Sequence, residues 1–112
     1  MNKTNKTEAQ AKAMMQGAAP ADRPGWLGGL PMPIKDNCDV GGVVTSQGSP
    51  IFAQAVAPKS DHTVATLEAN GAIPIAKSNI PEFAGANTFN TVFGATRNPW
   101  DLRMTVGGSS GG

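Results

Sequence analysis

The sequence has no tyrosine, one cysteine and one histidine among its 112 residues, and aromatic residues make up only 5% of it. A single cysteine, Cys38, cannot form a disulfide within the chain and is typical of a reducing compartment. No apolar run is long enough to span a bilayer, and the first residues have no apolar core of the signal-peptide type. These absences predict a cytoplasmic protein without a membrane partner.

An excess of charge is missing as well. Nine Lys and Arg residues against eight Asp and Glu residues give a net charge of +1, and the basic residues are scattered. Because nucleic-acid-binding surfaces carry clustered basic side chains, the sequence predicts no nucleic-acid partner. His62 lacks the companions that a metal site or a Ser-His pair needs, so we expect it on the solvated surface. Cys38 is expected to be a small apolar residue rather than a nucleophile.

What the chain does have is glycine and proline, 14 and 9 residues, which divide at most one domain into short elements. The predicted elements are a helix over 7–16, a strand over 30–36, a short strand over 43–45, a helix over 60–70, a strand over 72–77 and a short helix over 80–84 capped by Ser78 and Asn79. The order of strand, helix and strand favours a right-handed β-α-β crossover. Residues 85–106 are predicted to be a long loop, and Trp26 a packing anchor.

Lys35 lies near the end of the first predicted strand. Side chains alternate along a strand, so Lys35 points to one face while Ile34 and Asp36 point to the other. An ion pair with Asp36 would keep the amine protonated, whereas on opposite faces burial is free to favour the neutral form. A lone lysine is ordinarily a solvated surface charge. The apolar, proline-stiffened strand that leads into Lys35 is the reason to consider a chemical role for it.

The last six residues, GGSSGG at 107–112, admit more than one interpretation. Runs of this composition are most often flexible linkers. A tight, glycine-lined turn that presents a hydroxyl to a reacting group is the alternative. A phosphate-binding loop is disfavoured, because no Gly-Lys-Ser/Thr sequence follows the glycines.

Four segments in the same order resemble the amidase signature family. They are GLPMPIKDN at 29–37, KSNIPEF at 77–83, RNPWD at 97–101 and GGSSGG at 107–112. Order and spacing agree from Gly29 to the end of the chain, which favours the tight turn over the linker. The resemblance implies an α/β fold with a mixed sheet flanked by helices, incomplete here at the C-terminus. Residues 1–28 are then an N-terminal helix and loop, and residues 29–112 the N-terminal part of an amidase-signature domain.

The resemblance also implies a chemistry, which is hydrolysis of a small-molecule carboxylic amide by a Ser-Ser-Lys triad. Lys35 is similar to the catalytic lysine, and Ser109 to the bridging serine that follows a cis peptide bond. Ser110, Gly107 and Gly108 support the triad. The nucleophilic serine and its oxyanion-hole glycines lie further along the family's sequence than Gly112. Neither a metal nor an organic cofactor is expected.

Two other functions remain open. The A subunit of the glutamyl-tRNA amidotransferase belongs to the same family and transfers ammonia rather than water, and a nucleic-acid partner is expected only under this alternative. The sequence PEFAGAN at 81–87 looks more like the free-standing amidases. The other alternative is that the chain is a non-catalytic fragment that only associates with a complementary chain. As an isolated fragment it is expected to be inactive.

Overall fold

A computed structural model describes residue 16 and residues 24–111 of the chain. The helix predicted over 7–16 therefore lies outside the described residues, except for Gln16. The same holds for most of the N-terminal segment predicted over 1–28.

The central unit is a pair of parallel strands with a helix between them in the chain. Strand β1 (Pro31–Lys35) pairs with β2 (Ile73–Ser78), and helix α1 (His62–Ala69) connects them. The predicted strand-helix-strand order and the α/β class are confirmed. The register of the pair shifts between Met32 and Pro33. Proline has no backbone N–H to donate to a ladder, so an irregular register at this position has a simple physical cause.

A small apolar core lies beneath this unit and consists of Ile34, Val40, Val43 and Val64. Cys38 is partly buried and packs against it, which agrees with the prediction of a small apolar residue. The strand predicted over 43–45 is reduced to one isolated bridge between Val44 and Val56.

Glycine ends helix α1 and lies under an aromatic ring. Gly71 has a φ of +88°, and a Cβ atom there would be 3.0 Å from the ring of Trp26. The backbone N–H of Gly71 donates to the carbonyl of Glu68 at 3.0 Å. Trp26 therefore packs on the end of the helix, as its predicted role as an anchor requires, and His62 is exposed at the other end.

The long loop predicted over 85–106 is wrong, because this segment forms two antiparallel hairpins. The first pairs β3 (Phe89–Asn90) with β4 (Gly94–Ala95), and the second pairs β5 (Arg97–Asn98) with β6 (Asp101–Thr105). The second hairpin exposes three large apolar side chains, Trp100, Leu102 and Met104.

Asparagine side chains explain why turn-forming residues close hairpins here instead of forming an open loop. The Oδ1 atom of Asn90 accepts hydrogen bonds from the N–H groups of Val92 and Phe93, at 2.9 and 2.7 Å. Asn98 accepts in the same way from the N–H of Trp100 at 2.9 Å. Such contacts stabilise a tight turn between two short strands.

The short helix predicted over 80–84 is present only in part, as one 3₁₀ turn. Ser78 is the last residue of β2, and only a 3₁₀ turn follows, over Glu82–Ala84. Phe83 and Ala84 have φ angles of +50° and +59°, in the left-handed region that an α-helix of L-residues avoids. Asn79 therefore has no helix to cap, and its side chain has other partners.

The described strands form three two-stranded sheets. The single larger mixed sheet that the resemblance implies is not formed among the described residues. None of the helices in the described part of the chain is long and apolar enough to cross a membrane.

Candidate active site

Lys35 and Ser109 meet although 74 positions separate them in the chain. Lys35 is the last residue of β1, and its Nζ atom donates a hydrogen bond to the Ser109 hydroxyl at 2.7 Å. Both residues are partly buried. The two residues singled out as catalytic from the sequence are thus in direct contact.

Asp36, the neighbour of Lys35, is turned to the opposite face of the strand, as the alternation predicts. Its carboxylate forms an ion pair with Lys77, with 3.2 Å between Oδ1 and Nζ, and both side chains are at most 3% exposed. The carboxylate also accepts hydrogen bonds from the backbone N–H and the hydroxyl of Ser46. The negative charge next to Lys35 in sequence is therefore satisfied elsewhere.

Lys77 is a buried residue that the sequence reasoning did not single out. Besides the Asp36 carboxylate, its Nζ atom donates to the carbonyl of Cys38 at 2.6 Å and to Oγ1 of Thr45 at 2.9 Å. Three acceptors match the three protons of an ammonium group. The sequence did contain a signal for this burial, because Lys77 belongs to an otherwise apolar predicted strand. A lysine that is buried with such a strand needs a partner.

The GGSSGG segment is a tight turn in this structure. The peptide bond between Gly108 and Ser109 is cis, as the resemblance implies, and Gly107 has a φ of +86°. A Cβ atom at Gly108 would overlap the carbonyl oxygen of Ala86 and come within 2.9 Å of Asn87 Cα. At this position only glycine lets the two backbone segments approach so closely.

Hydrogen bonds to Thr88, Thr96 and Asn79 fix both ends of this turn. At its start, the N–H of Thr88 donates to the carbonyl of Gly107 at 2.7 Å. At its end, the N–H of Gly111 donates to the carbonyl of Asn79 at 3.2 Å, and the Thr96 hydroxyl donates to the carbonyl of Gly111 at 3.0 Å. Ser109 therefore lies between two anchored glycines.

The side chains of the remaining candidates form no hydrogen bond with those of Lys35 and Ser109 in the described part of the chain. Ser110 is exposed, and its hydroxyl has no hydrogen-bond partner among the described residues. The Sγ atom of Cys38 lies 3.7 Å from Oδ1 of Asn37. Across residues 16 and 24–111, no group of three or more His, Cys, Asp or Glu side chains has an arrangement suited to a metal ion.

The model of the family described as Amidase matches residues 3–112. The chain belongs to the amidase signature family. Among curated relatives, the A subunit of glutamyl-tRNA(Gln) amidotransferase from Gloeobacter violaceus is 43% identical over 93% of this chain and 22% of its own length. Its counterpart from Alkaliphilus metalliredigens is 48% identical over 79% of this chain and 18% of its own. The chain thus spans about a fifth of the length of the curated relatives it matches.

Several solved structures share the fold of this segment. An inhibitor-bound vestigial protein complex, described as revealing the evolutionary origins of an s-triazine catabolic enzyme, matches with a TM-score of 0.76 and 37% identity, over 90% of this chain and 22% of that one. The A subunit of the Thermotoga maritima glutamyl-tRNA(Gln) amidotransferase matches with a TM-score of 0.68 and 36% identity, over 72% of this chain and 18% of that one. A 6-aminohexanoate cyclic dimer hydrolase with bound substrate matches with a TM-score of 0.71 and 27% identity, over 90% of this chain and 21% of that one.

Proposed function

We propose that this chain supplies the general base, Lys35, and the proton relay, Ser109, for cleavage of a carboxylic amide. The attacking serine comes from another part of the protein, because none of these residues matches the family's nucleophile. The observation that carries the proposal is the 2.7 Å contact between Lys35 Nζ and Ser109 Oγ. Proton transfer needs heavy atoms at about this separation, roughly 2.6–3.2 Å.

The proton path requires a neutral amine. The attacking serine gives its hydroxyl proton to Ser109 Oγ, and Ser109 gives its own proton to the lone pair of Lys35 Nζ. As the C–N bond of the tetrahedral intermediate breaks, the same proton returns through Ser109 to the departing nitrogen. The relay leaves both residues as they began, so Lys35 and Ser109 are catalysts and need no cofactor. Pairing of Asp36 with Lys77 supports this path, because it keeps the nearest carboxylate in sequence away from the Lys35 amine.

A small-molecule amide is the proposed substrate, with water as the acceptor. A second candidate is the A subunit of a glutamyl-tRNA amidotransferase, which is favoured by the identities of 43% and 48% to curated proteins of that name. Both candidates break an amide C–N bond and use the same two residues. They differ in where the released nitrogen goes.

A chimeric enzyme tests the roles of the two residues. Residues 29–112 replace the matching segment of the 6-aminohexanoate cyclic dimer hydrolase, and opening of the cyclic dimer is the readout. Lys35→Ala and Ser109→Ala are each expected to lower kcat by about 10²–10⁴-fold, the usual contribution of a proton-transfer group. Lys35→Arg is expected to be as inactive as Lys35→Ala, because arginine stays protonated and cannot accept the proton.

Cys38→Ala is the matched control, since Cys38 lies near Lys35 in sequence and outside the relay. It should leave kcat within a few-fold of the parent chimera. Recovery of activity by Lys35→Arg would show that the position needs only a positive charge, and the assignment of Lys35 as base would be wrong. The second candidate is tested by measuring ammonia released from an amide without tRNA, in a protein of the relatives' length that contains this segment. Release only when a glutamyl-tRNA acceptor is present supports the amidotransferase.

A further inference from the structure

Asn79 stands between the two halves of the candidate site. It directly follows Ser78, which is the register partner of Lys35 in the parallel pair of strands. Its backbone carbonyl accepts a hydrogen bond from the N–H of Gly111, at 3.2 Å. Gly111 in turn lies two residues after Ser109. One residue thus connects the end of the strand beside Lys35 to the turn that carries Ser109.

The side chain of Asn79 uses both of its functional groups. Oδ1 accepts from Asn90 Nδ2 at 2.7 Å and from the N–H of Ile80 at 3.0 Å. Nδ2 donates to Thr96 Oγ1 at 3.0 Å and to the carbonyl of Gly94 at 3.3 Å. An amide has two donors and an acceptor oxygen, so this side chain is well satisfied in a single orientation.

Thr96 completes the contact on the other side of Gly111. Its hydroxyl accepts from Asn79 Nδ2 and donates to the carbonyl of Gly111, each at 3.0 Å. The N–H of Gly111 is bonded to the Asn79 carbonyl, so Asn79 and Thr96 together engage both polar groups of this peptide residue. Gly111 is buried and has no room for a Cβ atom beside Thr88. The turn is held by hydrogen bonds and by close packing at the same residue.

We infer that Asn79 and Thr96 are positioning residues that clamp Gly111 and thereby hold the Ser109 hydroxyl against Lys35. This inference rests on the proposed function of the Lys35–Ser109 pair. The connections form a closed ring, from Lys35 to Ser78 across the sheet, along the chain to Asn79, across to Gly111, and through the turn to Ser109. Thr96 lies outside this ring and holds the carbonyl of Gly111 from the other side, so its loss loosens the turn without touching either member of the pair.

Thr96→Val and Thr96→Ser form a matched pair of variants. Valine keeps the branched shape and removes the hydroxyl, which leaves the Gly111 carbonyl without its donor. Serine loses only a methyl group and keeps the hydroxyl. Asn79→Asp is a second, independent break, because it keeps the acceptor for Asn90 and replaces the amide donor to Thr96 by an oxygen.

A thiol placed at the relay position reports its distance from Lys35 without any need for turnover. Ser109→Cys is introduced into the 112-residue chain together with Cys38→Ala, so that the probe is the only thiol. The rate of its alkylation by iodoacetamide is measured against pH, which gives the pKa of the thiol. A free thiol has a pKa of about 8.5 and is far more acidic than a serine hydroxyl. A thiol beside the Lys35 amine can therefore give its proton to that amine, and the ammonium group so formed stabilises the thiolate and lowers the thiol pKa.

In this background we expect the thiol pKa to lie about one unit or more below 8.5, and Lys35→Met to restore it. Thr96→Val and Asn79→Asp are expected to move it back toward 8.5, while Thr96→Ser leaves it low. Thr66→Val is the control for loss of a threonine hydroxyl elsewhere, since Thr66 donates to the carbonyl of His62 within α1 at 2.8 Å. Circular dichroism of each variant establishes that it is folded.

The outcomes separate the two proposals. A thiol pKa that is not lowered, or does not depend on Lys35, contradicts the Lys35–Ser109 pair and the clamp with it. A lowered pKa that Thr96→Val and Asn79→Asp leave unchanged overturns the clamp alone. If Thr66→Val moves the thiol pKa by the same amount as Thr96→Val, the change reflects a general loss of structure, and this result also overturns the clamp. If Thr96→Val does not fold, Asn79→Asp decides the question by the same measurement.

Discussion

Lys77 Nζ lies 3.2 Å from the Asp36 carboxylate, and this ion pair joins β2 to the residue that directly follows β1. Asp36 is adjacent to Lys35 in the chain, yet its charge is directed to the other face of the strand. The two lysines of this region are thereby given different surroundings. Lys77 has three acceptors around its ammonium group, while Lys35 donates to the hydroxyl of Ser109.

Removing one member of this buried pair should be strongly destabilising. Lys77→Met leaves the Asp36 carboxylate buried without its cation, which typically costs about 3–5 kcal/mol. The free energy of unfolding is measured by urea titration, with a protein of the relatives' length or a chimera if the short chain is too unstable. The double variant Asp36→Asn/Lys77→Met removes both charges and is expected to be more stable than Lys77→Met. A double variant that is no more stable than the single one would show that the charge imbalance is not the cause.

The turn that carries Ser109 should tolerate no side chain at Gly108. Gly108→Ala places a methyl group on the carbonyl oxygen of Ala86, and overpacking of this kind costs typically about 1–3 kcal/mol. Gly85→Ala is the control, because Gly85 has a φ of −91° and a Cβ atom there would have only an ordinary contact, 3.7 Å from Glu82 O. Thermal unfolding of the two variants compares them directly. Equal stability would mean that the turn has room which the structure does not show.

The hairpin formed by β5 and β6 has a carboxylate, that of Asp101, whose pKa is lowered. Hydrogen bonds from the Arg103 side chain, and then from its backbone N–H, hold the pKa of Asp101 below its ordinary value. A lowered folded-state pKa adds stability above the unfolded-state value of about 3.9 and loses it as the pH falls through the folded-state value. Carboxyl chemical shifts followed by NMR against pH should show this. Arg103→Gln should return the titration toward 3.9, and an unchanged midpoint would contradict the assignment.

The 112-residue chain by itself should hydrolyse no amide. It has the base and the relay of the proposed mechanism, but no residue that matches the family's nucleophile or its oxyanion donors. Each oxyanion donor typically lowers the barrier by about 3–4 kcal/mol, so their loss alone is large. The purified chain is assayed against an aliphatic and an aryl amide, with Ser109→Ala as the control. Turnover that Ser109→Ala abolishes would refute this expectation.

The sequence predicts those parts of the site that depend on neighbouring residues or on a short motif. The alternation of a strand separates Lys35 from Asp36, and the family resemblance identifies Lys35 and Ser109, which the structure brings together. The buried role of Lys77 was missed because its three acceptors come from Asp36 and from the segment that follows β1. A local pattern contains no information about such partners.

Asn79 illustrates the same limit more sharply. Its position before a proline-containing segment is typical of a helix cap, and the sequence predicts one there. In the structure its hydrogen bonds extend to Asn90, Gly94, Thr96 and Gly111. Asn90 and Gly94 lie in the first hairpin and Thr96 lies between the two hairpins, a segment that was predicted to be loop. An error about one segment therefore concealed the contacts of a residue in another.

The two tryptophans give the chain an internal pair of optical probes. The ring of Trp26 lies 3.0 Å from the position of a Cβ atom on Gly71, against the end of helix α1, whereas Trp100 is 95% exposed on the second hairpin. Iodide, a quencher that stays in water, therefore reaches the Trp100 indole far more readily than the Trp26 indole. The fluorescence that iodide quenches therefore reports on the hairpin that carries Trp100. The fluorescence that iodide leaves unquenched reports on the packing of the central strands and helix around Trp26.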